Sequence, residues 1–379
     1  MKETELKYFF PYRIEKQYHF KDKLQNRNAF FDEMEGKNEY FYKDEGNYGY
    51  RRNRDHLSLL ECSLNDYIIS DLFSNWEGWY GNGRNIFSFS KELLEMLSHT
   101  DVDDVSYESF NLPYDNFYLS LRPLELTITK DSDKIIEGVY ILVDRMSMEK
   151  MVDNNGNEFW NDYAISFHFV GDFEDFIIKY HDKVWNDYGS GGRSFWDFAF
   201  YFSEKENIIT ISDAVKDWQS VEEYTLFPEN KEEITDDHLD LYTYYRELVA
   251  STYKIIVNCM LYLSMYKQDK DIQIQYADDL PFNFNKKLGF SKSKKETEKI
   301  EKKIAETGFS KIHYVGNSFK KRSKVGDNSN LILSSHWRRG HWRNQRFGEK
   351  LINEKLIWIR PVIVNKSLGN PQKGRIYEI

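Results

Sequence analysis

Apolar positions after Asp55 recur mostly three or four residues apart, at Leu57, Leu59, Leu60, Leu64, Ile68 and Leu72, and this spacing predicts an amphipathic helix. The glycines of "NWEGWYGNGRN" predict its end. A second helix is expected from Ser90 through "KELLEML". Serine suits the capping position, and Glu92 falls in the first turn, where the helix dipole favours an anion. The period then changes. "FYLSLR", "EGVYILVD", "YAISFHFVG", "FWDFAFYFS" and "NIITIS" are short apolar or alternating runs, and they predict strands, most simply in an antiparallel meander. "DNNGNE" from Asp153 and "GSGG" from Gly189 supply loops between them. A broad apolar stripe of Leu241, Tyr245, Leu248, Tyr253, Ile256, Met260 and Leu263 predicts a long helix from about Asp236 to Lys267. Residues 1–54 carry many Tyr, Phe, Asn and Lys without clean periodicity, and read as irregular with room for a short helix.

From Pro281 the pattern changes again. "KETEKIEKKIAE" predicts a solvated, Lys-rich helix, and "KKRSKVGDNSN" a basic loop. "LILSSHWRRGHW" and "KLIWIRPVIVNK" are β-rich runs able to pair as a hairpin across "NQRFGEKLINE". The expected fold is α+β: a helical N-terminal part, a central antiparallel sheet, a long helix and a basic C-terminal β element.

Composition supports a folded chain. The sequence has 379 residues, of which 17% are aromatic, and a chain of this length buries well over half of its unfolded surface without staples. Its two cysteines, Cys62 and Cys259, lie among apolar neighbours and read as small buried hydrophobes rather than a disulfide or metal pair. The N-terminus mixes charge with aromatics, unlike a signal peptide. The longest apolar stretch, Ile255 to Tyr266, falls short of the roughly twenty residues that a membrane span needs. A soluble, cytoplasmic protein without membrane contact is expected.

Charge divides the chain. Residues 281–379 hold 23 Lys and Arg against 8 Asp and Glu, a balance of +15. The totals of 52 and 62 leave residues 1–280 with 29 against 54, a balance of -25. The reading is an acidic α+β body over 1–280 and a basic region over 281–379 with a Lys-rich helix and a hairpin-like module. Such a basic block either meets nucleic acid or an acidic partner, or docks on the protein's own acidic body.

Chemistry concentrates in "SSHWRRGHWRNQRFGE", Ser334 to Glu349, with two His, two Trp and four Arg. His336 and His341, with His313 as a candidate third ligand, fit no standard zinc spacing, so no metal is expected. "GNGRN" and "GSGGRS" lack the Gly-Lys-Ser/Thr of a phosphate loop, and no nucleophile motif appears. No cofactor is expected. With 62 acidic residues, carboxylate pairs such as Asp103 and Asp104 arise by chance. If "HWRRGHWR" is extended, His336, Arg338 and Gly340 share one face and Trp337, Arg339, His341 and Arg343 the other, with Lys355, Trp358 and Arg360 on the opposing run. Arginine forks bind phosphate or carboxylate, and Trp offers a stacking face. The candidate binding set is Trp337, Arg338, Arg339, His341, Trp342, Arg343, Arg346, Trp358 and Arg360. A metal-independent ribonuclease with His336 and His341 as general acid and base is the alternative from another class. A third reading makes both Trp core residues and pairs the Arg with the acidic body.

"HWRRGHWRNQ" followed by "LIWIRPVIVN" resembles the end of the second type V-A anti-CRISPR protein family. "YGNGRN" at Tyr80 leading into "FSFSKELLEML", "FNLPYDNFYLSL" at Phe110 and "GVYILVD" at Gly138 resemble further segments of it in the same order. The resemblance touches points from about Tyr80 to Asn365, and nothing in the first seventy or so residues matches. It implies a regulator encoded on a mobile element. Family activity is recognition of the nascent N-terminal peptide of the type V-A CRISPR effector nuclease during translation, with loss of its mRNA. By this resemblance the partner is a nascent polypeptide, RNA or the ribosome surface, and the outcome is lowered production of a target protein. The longer chain and the Lys-rich insertion between Pro281 and Lys324 depart from the family pattern and leave the target open.

Overall fold

A computed structural model describes residues 1–30, 41–44, 47–50, 60–128, 130, 133–144, 150–152, 158–160, 163–171, 197–204, 206–226, 236–265, 272–319, 336–338 and 340–364. The loops expected at Asp153, Gly189 and 320–330, and the helix start before Leu60, lie outside the described residues.

The architecture is α+β, as the periodicities predict. Strands in chain order are β1 (Phe41–Asp44), β2 (Asn47–Tyr50), β3 (Ile86–Phe89), β4 (Thr100–Asp101), β5 (Asn116–Ser120), β6 (Gly138–Asp144), β7 (Lys150–Val152) and β8 (Glu158–Trp160). They continue with β9 (Tyr163–Val170), β10 (Asp197–Phe202), β11 (Ile272–Gln275), β12 (Ile312–Val315), β13 (His336–Arg338), β14 (Gly340–Phe347), β15 (Asn353–Ile359) and β16 (Val362–Val364). The central sheet has seven strands in the order β10-β9-β6-β5-β3-β12-β11. Its β5-β6-β9-β10 part is the expected antiparallel meander. The whole sheet is mixed, because β3 pairs parallel with both β5 and β12. A parallel pair needs a long crossover, and residues 90–115, including the helical turns of Lys91–Ser98, supply the one between β3 and β5. Strand β3 is buried at all four positions, so it shows no polar alternation to read. Strand β12, from the basic region, lies between β3 and β11, so acidic body and basic region share one sheet.

Helices α1 (Phe10–Tyr18) and α2 (Phe20–Gln25) form in the segment read as irregular with room for a short helix. They bury Phe10, Tyr12, Ile14 and Phe20. The Arg13 guanidinium ion-pairs with the buried Glu137 carboxylate at 2.6 Å. Helix α3 (Leu60–Gly81) does not stop at Asn75 but runs on through the expected break. Phe73, Trp76 and Trp79 continue a buried stripe at three-residue spacing, and this burial outweighs the roughly 1 kcal/mol that glycine costs inside a helix. The reversal comes after it, at Gly83 and Arg84, both with positive φ. Helix α4 (Lys91–Ser98) begins as expected, with Ser90 Oγ accepting from Leu93 N.

"NIITIS" does not form the expected strand. Among the described residues it makes only single bridges, Ser203 to Ile208 and Ser106 to Thr210, and then enters helix α5 (Ile211–Leu226). Thr210 and Asp213 cap α5 reciprocally: Thr210 Oγ1 accepts from Asp213 N, and the Asp213 carboxylate accepts from Thr210 N. Helix α6 (Asp236–Met265) is the long helix. Its stretch from Arg246 to Met265 has the length and hydropathy of a membrane span, yet 72% of that window is buried inside the fold. Tyr253 stacks on Phe200 of the sheet with centroids 3.7 Å apart. Cys259, on the same helix, is buried and free, and burial pushes its thiol up. Helices α7 (Phe284–Phe290) and α8 (Lys294–Glu306) follow. Helix α8 is mostly solvated, as expected, and buries Ile304.

Candidate functional site

The C-terminal element is a hairpin with a fixed base and a free outer face. Strands β14 and β15 pair antiparallel over seven residue pairs, from His341 opposite Ile359 to Phe347 opposite Asn353. The hairpin is longer than expected: "NQRF" and "NE" of the connection belong to the strands, and only the residues around Gly348 to Ile352 make the turn. Beyond its base, β13 pairs with β16, placing Arg338 opposite Val362.

Alternation sends Gly340 and Trp342 inward and His341 and Arg343 outward. Trp342 and Trp358 face each other across the strands, rings 6.1 Å apart, and each is only 8% exposed. A buried indole N–H needs an acceptor. Trp342 Nε1 donates to Asn258 Oδ1 at 2.7 Å, and Trp358 Nε1 donates to Thr100 Oγ1 at 3.1 Å. The Asn258 amide donates in turn to the Thr100 carbonyl at 3.0 Å, while Thr100 Oγ1 donates to the Met96 carbonyl. Strand β4 carries Thr100 and pairs parallel with β14, and Gly340 N donates to the His99 carbonyl at 2.9 Å. Helix α6, helix α4 and the hairpin thus meet in a small polar clasp inside an apolar setting. Asn258 is the residue that interrupts the apolar run of α6, and this is its use.

The placement corrects one part of the candidate set. Trp342 and Trp358 are packing residues with satisfied indole N–H groups, so neither presents a stacking face. Other residues of the element lie on the surface. His341, Arg343 and Lys355 are exposed, and so are Arg338 and Arg360. Arg343 donates to the neighbouring Gln345 side chain. Arg346 is exposed and tied across the strands to Glu354 at 2.8 Å. The Arg360 guanidinium lies over the rings of Phe319 and Trp358, at 4.7 and 5.6 Å. His336 and Trp337 have their backbones in β13, their side chains lie outside the described residues, and so does all of Arg339.

His313 sits on β12 in the central sheet, its ring 4.6 Å from that of Phe87. Burial lowers its pKa to about 4, so it is a neutral imidazole packed among aromatics. Among the described residues no three His, Cys, Asp or Glu side chains gather as a metal site.

These features define an α+β protein that presents a basic hairpin from a rigid core. The model of the AcrVA2-like family, the anti-CRISPR type V subtype A2 family, matches residues 87–366, and the chain belongs to that family. The matched span contains every residue of the clasp. Among solved structures, the crystal structure of AcrVA2 aligns over 93% of this chain and 99% of that chain, at 14% identity and a TM-score of 0.41. No curated protein sequence matches the chain.

Proposed function

We propose that this anti-CRISPR family member lowers production of a target protein by engaging the translating ribosome's output, a nascent peptide or its RNA, through the outer face of the C-terminal hairpin. The observation that carries the reading is the exposed pair Arg343 and Lys355 on the outer face of a hairpin whose base is locked to α6, with Arg338 exposed on the adjoining β13. Guanidinium groups so placed can fork onto phosphate or carboxylate, and the anchored base reduces the ordering cost of binding. Family membership supplies the biological setting.

Ribosome profiling with and without the protein tests the proposal. One or a few transcripts should lose footprints and abundance, and the effect should vanish in the Arg338→Glu, Arg343→Glu double variant while its thermal stability stays near that of the wild type. Unchanged footprints with wild-type protein, or full activity of a folded double variant, would overturn it.

A further inference from the structure

A second basic surface is built from elements other than the hairpin. Residues 281–295, "PFNFNKKLGFSKSKK", contain five lysines and no acidic residue, in a chain of net charge -10. Lys286, Lys292 and Lys295 are exposed and make no ion pair among the described residues. Lys294 reaches only the exposed Glu298, at 3.9 Å. Two phenylalanines stand out beside them: Phe282 is 63% exposed and Phe290 is 79% exposed, the largest value for any bulky apolar side chain among the described residues. Phe284 between them is buried and anchors the segment. Phe282 and Asn283 both adopt left-handed backbone, φ 57° and 55°, a conformation that non-glycine residues seldom take. The fold therefore holds Phe282 out at a backbone cost rather than tucking it in.

We propose that this segment, from Phe282 through the start of α8, binds single-stranded nucleic acid. Exposed aromatic rings stack unpaired bases regardless of sequence, and unpaired lysines between and beside them neutralise phosphates. Helix α7 has seven residues, so it spans roughly 10 Å, and the two rings flank a stretch suited to a few nucleotides. The pattern fits a lipid surface poorly. A helix lying on a membrane needs a continuous apolar face, whereas α8 turns Ile300 and Ile304 toward the core and leaves Lys and Glu outside. No residue of the surface belongs to the hairpin. In the role proposed above the strand would be RNA, and that clause alone rests on the earlier reading.

Fluorescence anisotropy of the full chain with a labelled oligouridylate, and in parallel the matching deoxyoligonucleotide, across a salt series tests the site. Binding should weaken with salt, and Lys286→Glu, Lys292→Glu, Lys295→Glu should reduce affinity more than tenfold and flatten the slope of log K against log salt by about 2, at roughly 0.7 for each phosphate left without its lysine. Phe290→Ala removes an exposed ring without touching the core, and should weaken binding roughly five- to a hundredfold. Binding of either oligonucleotide with these losses supports the site, and the stronger of the two identifies its source. No binding at low salt, or equal affinity of wild type and both variants, overturns it. So does capture of anionic phosphatidylserine vesicles that depends on Phe290 while nucleic-acid binding does not. Loss of RNA binding only in the Arg338→Glu, Arg343→Glu variant would also overturn this site, yet leave the hairpin proposal standing.

Discussion

Asn258→Ala is the sharpest probe of how the hairpin is held. The substitution removes the acceptor of the Trp342 indole N–H and the donor to the Thr100 carbonyl, both in a buried setting. An orphaned buried polar group costs about 1–3 kcal/mol. Three hydrogen bonds are broken, counting the one from the Asn258 amide to the Lys254 carbonyl, and a small void is left, so a loss of about 2–4 kcal/mol is expected. The damage should be local. Amides of β14 and β15 should exchange with solvent much faster, while those of β6 and β9, in the middle of the seven-stranded sheet, keep most of their protection. Urea unfolding gives the total, and hydrogen exchange gives its location. Trp342→Phe completes a cycle: once the indole N–H is gone, removing Asn258 should cost less, by about 1 kcal/mol or more. A change below about 0.5 kcal/mol in Asn258→Ala, or equal exchange at the hairpin and the central sheet, would refute the idea that this clasp fixes the hairpin.

Gly340→Ala should open the same base by another route, because an added Cβ would lie 2.6 Å from Pro361 Cδ and 2.8 Å from the Ile359 carbonyl oxygen; a loss of roughly 2 kcal/mol or more in urea unfolding is expected. Arg346→Ala should leave stability within about 0.5 kcal/mol by the same measurement, since its pair with Glu354 is 70% and 51% exposed. His313 has its pKa lowered by burial from 6.5 to about 4, so the unfolded chain takes up this proton first as pH falls. Its stabilisation is complete above about pH 6.5 and drains away toward about pH 4, and His313→Phe should abolish an acid-induced loss on the order of 2–3 kcal/mol, read as the difference in unfolding free energy between wild type and variant across that range.

The long elements were legible in the sequence from residue type and length: the stripe of α6, the Ser90 cap, and the runs of β6 and β9, seven and eight residues long although mostly buried on both faces. Strands β3 and β12 have four residues each, too few to show a period, and their parallel pairing depends on segments more than two hundred residues apart. Helix α5 was hidden by the β-branched residues before it, although Thr210 and Asp213 spell its capping pair. Helix α3 crosses a glycine because tryptophans on the same side reach the core. At the site, alternation correctly groups His341 with Arg343. It cannot say which face of the hairpin is covered, because that depends on Asn258, more than eighty residues away, and so the sequence leaves open whether the module's tryptophans are stacking faces or core.

The position of β12 governs the order of events during synthesis. The sheet cannot close until residues near 315 have left the ribosome, because β12 fills the place between β3 and β11. Until then β3 has a bare edge, an apolar strand with unpaired backbone groups and a ready template for the wrong neighbour. Pairing across so long a loop is slow to form. A chain interrupted near residue 280 would keep its strongest core helix and its meander, yet carry a permanent open seam. Aggregation, rather than a smaller working protein, is the expected fate of such a fragment.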